Sequence, residues 1–134
     1  MSDLLTRAEY AAIADGIDFP RSAFIDGGFR AGTGAPLVTL NPATGKEICN
    51  IAACGSDDVN VAVQKAREAF DGGAWRTTHP TERKDILIRL AKLMTRNKRE
   101  LAVMESLESG KPIADCENVD IPEAIATIKW HAEA

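Results

Sequence analysis

The side chains here whose types could do chemistry are three cysteines, two histidines and the Asp120–Glu123 carboxylate pair, and their spacing excludes more than it builds. Cys49, Cys54 and Cys116 are odd in number and include no C-x-x-C pair. Neither a disulfide framework nor a thiolate metal site is expected, only buried free thiols. Cys116 lies among polar residues with no histidine near it in sequence, and a thiol with no neighbouring base is a poor nucleophile. His79 and His131 are expected to be structural or surface side chains. Gly28, Gly32 and Gly34 lack the G-x-G-x-x-G spacing of a phosphate loop and read as turn glycines. Asp120 and Glu123, with Pro122 between them, have the spacing of a capping box that opens a helix.

A short helix, a small sheet and a long helical stretch must position these residues. Thr6 followed by Glu9 predicts a capping box and a helix over 6–16, closed by Gly16. Two short apolar segments flank Asp26-Gly27-Gly28, a tight-turn signal, and read as a hairpin. Two further strands, 37–40 and 47–52, meet at a turn in which Pro42 fixes one φ and Gly45 can accept a positive one. Residues 23–53 are thus expected to form one small antiparallel sheet.

From 56 to 134 the period is helical. Ser56 is the expected N-cap of a helix whose stripe, Val59, Ala62, Val63, Ala66, Ala69 and Phe70, faces a core and ends at Gly72-Gly73. Pro80 opens the next helix, with Ile86, Leu87, Leu90, Leu93 and Met94 as its buried face. A further helix carries Leu101, Ala102, Met104 and Leu107 and is stopped by Gly110 and Pro112. The last helix is expected to start at Asp120 and to bury Ile121, Ala124, Ile125, Ile128 and Ala132. It reaches Ala134 without a Gly, Asn or Pro to cap it, so the chain is expected to be the front part of a longer protein.

Composition sets the fold class as α+β, helix-rich with a small antiparallel sheet. A formal charge of −4 gives no clustered basic surface for a polyanion, so no nucleic-acid partner is expected. No apolar run is long enough to span a bilayer, and Asp3, Arg7 and Glu9 interrupt what would be the apolar stretch of a secretory signal. No membrane partner is expected, and the expected location is cytoplasmic.

Six short words then occur in a fixed order: Phe24-Ile25-Asp26-Gly27; Asn41 to Ile48 (NPATGKEI); Asp58-Val59 with Ala62-Val63, Ala66 and Ala69-Phe70; Trp75-Arg76; Arg83 with Leu87 and Leu90 to Leu93; and Glu105 to Pro112 (ESLESGKP). In this order and spacing they resemble the N-terminal part of the NAD(P)-dependent aldehyde dehydrogenase superfamily, from about Phe24 to the end of the chain. Asp120-Ile121-Pro122 and Ile128 to Ala134 look most like the branch acting on γ-glutamyl-γ-aminobutyraldehyde and other amino or amido aldehydes.

The resemblance implies that residues 1–134 are the front part of a Rossmann-like α/β cofactor-binding domain in a homo-oligomeric oxidoreductase using NAD or NADP. In such enzymes a thiolate captures the aldehyde, the thiohemiacetal gives hydride to the nicotinamide, and water activated by a Glu hydrolyses the thioester. The family pattern places that Cys, the Glu, an oxyanion-holding Asn and the dinucleotide-binding residues beyond Ala134, so no catalytic or cofactor-binding residue carries over. A monovalent cation site falls on the Leu40 carbonyl and Glu108, where the family more often has Asp. The mouth of the substrate tunnel falls on Val119, Asp120 and Glu123, of which Asp120 and Glu123 also fit as simple helix-start caps. The alternative is a free-standing, non-enzymatic helical interaction module that keeps only the family's front end.

Overall fold

Thr6 stops the backbone in an extended conformation, and its hydroxyl accepts from Glu9 N–H while the Glu9 carboxylate accepts from Thr6 N–H, so the first helix begins with both ends of a capping box closed. A computed structural model describes residues 4–134. The order of elements is α1 Arg7–Gly16, β1 Ala23–Ile25, β2 Gly28–Arg30, β3 Leu37–Leu40, β4 Glu47–Ile51, α2 Ser56–Gly72, α3 Ala74–Thr77, α4 Pro80–Arg96, α5 Lys98–Ser109, α6 Ile113–Asp115 and α7 Ile121–Glu133. A π-helical turn, Cys116–Asp120, joins α6 to α7. The elements fall into two compact units, one of residues up to Asp18, Asn41–Lys46 and Pro80–Ala134, the other of Phe19–Leu40 and Glu47–His79. Among the described residues no helix is long and apolar enough to cross a membrane.

In the second unit the strands pair as two separate antiparallel hairpins, β1–β2 and β3–β4, rather than as one sheet. Asp26 and Gly27 both have positive φ, 57° and 76°, as a two-residue hairpin turn of primed type requires. The segment after β2 does not extend a ladder. Gly34 N–H instead bonds Ala53 O at 2.9 Å, and a Cβ on Gly32 would lie 2.0 Å from that same oxygen. Gly32 and Gly34 are therefore glycines of close backbone approach, which lets the segment after β2 pass against the segment after β4. The cap of α2 is Gly55, not Ser56: the Asp58 carboxylate accepts from Gly55 N–H at 2.8 Å and from Thr33 N–H at 2.8 Å, stitching the helix start to the loop. These bonds hold the Asp58 carboxyl below its ordinary range, the Thr33 hydroxyl contributing most. The α2 stripe finds no core among the described residues, and Val59, Val63 and Phe70 remain half exposed or more.

The first unit holds most of the buried side chains: Ala91, Ala102, Val103, Cys116, Glu117 and Ile125. Helix α4 packs on α7, and Lys84 Nζ reaches Glu133 at 2.6 Å. The inward line of α4 is Leu87, Ala91 and Met94, while Ile86, Leu90 and Leu93, expected in the buried face, stay exposed. On α7 the line is Ile121, Ile125, Ile128 and Ala132, with Ala124 outside it. Gly110 ends α5 with φ +75°, left-handed, and its N–H bonds Ser106 O.

The Asn41–Lys46 turn closes on itself through Asn41 N–H to Lys46 O at 2.8 Å and Ala43 N–H to the Asn41 side-chain oxygen at 2.9 Å. Its Pro42 ring lies against Gly110, so two of the six sequence words meet in space. A Cβ on Gly110 would come within 2.9 Å of Pro42 Cγ and would also sit at an unfavourable φ. Gly110→Ala is therefore expected to cost about 2–3 kcal/mol, left-handed strain and overpacking together, read as a lowered urea midpoint at unchanged slope.

Candidate functional site

The tunnel-mouth residues named by the sequence fall on the helix that follows Pro112. That helix does not begin at Asp120. Asp115, Cys116, Asp120 and Ile121 all have right-handed helical backbone, so α6, the π turn and α7 form one helix from Ile113 to Glu133. Pro122 is then a helix-interior proline, lacking the N–H that would bond four residues back. The widened turn just before it, in which Ile121 N–H reaches five residues back to Cys116 O, makes room for the ring. A proline at this spacing signals a helix start in sequence; here it coincides with a π turn. Asp120 makes no cap hydrogen bond, and the capping-box expectation for Asp120 and Glu123 is corrected accordingly.

The turn sorts its residues by direction. Cys116 and Glu117 point inward and are buried, Asn118 and Val119 are exposed, and Asp120 is half buried. The Asp120 carboxylate pairs with Lys111 Nζ and faces Glu105 and the Cys116 thiol, their ligand-type atoms all lying within 4.8 Å of one another. Two carboxyls and a thiol around one spot would suit a cation, and the Lys111 ammonium supplies it. Burial, then the Asp120 charge, pushes the Glu105 carboxyl above its ordinary range. The bond to Asp120 raises Lys111 in turn. Burial, then Glu105 and Asp120, raises the Cys116 thiol, which is fully buried and stays protonated at neutral pH.

Val119 is 46% exposed, and Glu123 is exposed with no hydrogen bond or ion pair among the described residues. Leu40 ends β3 in one unit and Glu108 stands exposed in the last turn of α5 in the other. Cys49 is buried as expected, whereas Cys54 is exposed beside Arg30 and Asp58 in a shallow cavity. His131 is exposed and lies edge-on to the Trp130 ring at 4.9 Å.

Sequence reading missed Glu117. Its side chain is buried to 3% exposure, accepts from the Tyr10 hydroxyl and is paired with Arg99 Nε at 3.2 Å. A charged residue amid polar neighbours gives no period-based sign that it faces inward.

A helix-rich chain with two small hairpins has the architecture of the N-terminal segment of dinucleotide-dependent dehydrogenases. Residues 29–134 match the profile of the aldehyde dehydrogenase family, and the chain belongs to that family. It is 54% identical over 134 residues to aminoacetaldehyde dehydrogenase of Pseudomonas aeruginosa, covering 99% of this chain and 27% of that protein. The crystal structure of γ-glutamyl-γ-aminobutyraldehyde dehydrogenase from Burkholderia cenocepacia superposes with TM-score 0.93 at 40% identity, over 97% of this chain and 27% of the other. An indole-3-acetaldehyde dehydrogenase of P. syringae, in complex with NAD+ and IAA, superposes with TM-score 0.93 at 39% identity, over 98% of this chain and 27% of its own. The chain thus spans about a quarter of the length of these relatives.

The Lys111–Asp120–Glu105 arrangement makes one titration testable. A carboxyl raised in the folded state binds its proton more tightly there than when unfolded, so Glu105 takes stability away as pH rises above its ordinary value near 4.5. Asp120→Asn removes the charge but keeps the burial and the size of the side chain. Glu105 is expected to titrate at lower pH in that variant while staying above the ordinary value, as followed by side-chain carboxyl NMR.

Proposed function

We propose that this chain is the N-terminal part of a full-length NAD(P)-dependent aldehyde dehydrogenase that oxidises an amino or amido aldehyde to the acid. The observation that carries the reading is the 54% identity, across the whole chain, to an aminoacetaldehyde dehydrogenase that is about four times longer. The superposed γ-glutamyl-γ-aminobutyraldehyde dehydrogenase points to the same substrate class. NAD+ in the complex with the indole-3-acetaldehyde enzyme supports nicotinamide use. Exposed apolar faces such as α2 and the edge-to-face Phe24–Phe29 pair support burial against the rest of a parent protein or a second subunit of a homo-oligomer.

In this reading the chain's own residues shape the approach to the site and do none of the covalent chemistry. Purified full-length protein is expected to form NAD(P)H with an aldehyde carrying an ammonium or amide, and the 134-residue chain alone to form none. Full-length protein inert towards every such aldehyde would overturn the proposal.

Val119, Asp120 and Glu123 are proposed as the tunnel-mouth side chains. Lys111 already neutralises Asp120, so the free carboxylate there is Glu123. An exposed carboxylate attracts a distal ammonium only few-fold, and salt weakens it. Glu123→Gln in the full-length enzyme is expected to raise KM for a cationic aldehyde about two- to fourfold, leave KM for a neutral one unchanged, and lose this difference at high salt. An unchanged ratio of the two substrates in steady-state kinetics would remove Glu123 from recognition.

A further inference from the structure

The buried carboxylate of Glu117 has no part in the chemistry of the family's reaction as it falls on this chain, yet it is the most fully enclosed charge among the described residues. It sits in the first half of the π turn, two residues before Val119 and three before Asp120. Its Oε2 accepts from the Tyr10 hydroxyl of α1, and its Oε1 from Arg99 Nε of α5 at 3.2 Å. The Tyr10 oxygen accepts in turn from Leu5 N–H at 3.2 Å. One carboxylate therefore joins three elements, and α1 packs along α5 beside it.

A π turn competes with ordinary α-helix of the same sequence. Conversion between the two shifts the hydrogen-bond register by one residue, and one residue in an α-helix is about 100° of rotation. Whatever holds Glu117 inward thus sets the direction in which Val119, Asp120 and, one turn later, Glu123 project. An inward carboxylate deprived of a donor is costly, which gives the latch its strength. The family match begins at residue 29, so α1 precedes the matched segment.

We propose that α1 is a positioning element for the substrate mouth, acting through Tyr10 on Glu117 to hold the π turn in register. The proposal rests on the functional reading above for what the mouth admits. Tyr10 is a positioning residue, not a catalytic one.

Tyr10→Phe and Glu117→Gln in the full-length enzyme test it, the first deleting one donor while keeping the ring, the second keeping the shape while removing the charge. Tyr10→Phe is expected to raise KM for a cationic amino aldehyde by no more than the loss of Glu123 does, about two- to threefold, with kcat unchanged, and to speed amide hydrogen exchange at residues 118–121 about tenfold. Glu117→Gln, which still accepts one hydrogen bond, should move both readouts the same way by less. Faster exchange with unchanged KM would make the contact purely structural and overturn the proposal, as would no change in either. Both results require an active parent enzyme. A wild-type protein that forms no NAD(P)H from any aldehyde overturns the functional reading instead, and the positioning role falls with it.

Discussion

A carboxylate taken out of water must be paired, and Glu117 is where this helical unit meets that demand. The Tyr10 hydroxyl and the Arg99 guanidinium come from helices far from it in sequence, so satisfying one side chain ties α1 and α5 to the long helix of Ile113–Glu133. The same turn brings Cys116 inward, where its thiol is kept protonated, and sends Val119 outward. The inward Cys116 and Glu117 and the outward Asn118 and Val119 therefore share one local geometry. Apolar packing of α4 on α7 is a separate contact of the same long helix, while the polar latch ties its π turn to α1 and α5.

Much of the chain was legible because local rules acted alone. The Thr6–Glu9 box, the Asp26-Gly27 turn and the Gly110 stop each depend on a few adjacent residues, and each forms as its residue types require. The misreadings arose where tertiary context decided. Pro122 marks a helix start in isolation, yet Pro112 had already opened the helix and a π turn absorbed the second proline. Ile86, Leu90 and Leu93 have the same period as Leu87, Ala91 and Met94, displaced by one position. Period cannot choose between two neighbouring apolar stripes, and α7 covers the one with the small Ala91. Glu117 was invisible for a different reason: burial of a charge is decided by distant partners.

The expected tunnel-mouth residues separate once charge is counted. Asp120 and Glu123 look equivalent in sequence, two carboxylates three residues apart. In space Asp120 shares the Lys111 ammonium and, after burial, its charge helps raise the Glu105 carboxyl above its ordinary range, whereas Glu123 stands in solvent. Asp120 thus serves the packing between the end of α5 and the π turn, and only Glu123 has a field to offer a passing cation.

The uncovered apolar surface weighs the two functional readings against each other. A free-standing interaction module of this length should bury well over half of the surface its unfolded chain exposes and keep any docking patch small. Here Val59, Val63 and Phe70 of the α2 stripe and the Phe24–Phe29 pair are half exposed or more, the outer row of α4 is 40–47% exposed, and in the hairpin unit Cys49 alone among the described apolar side chains is buried. Hairpins and an amphipathic helix held by Asp58 and the Gly34–Ala53 bond have defined backbone but little core of their own. Ordering so many residues costs roughly 1–2 kcal/mol each in backbone entropy, which sparse burial offsets poorly. A second apolar surface against these faces removes the deficit, and that favours a segment built to pack within a larger enzyme over a self-sufficient module.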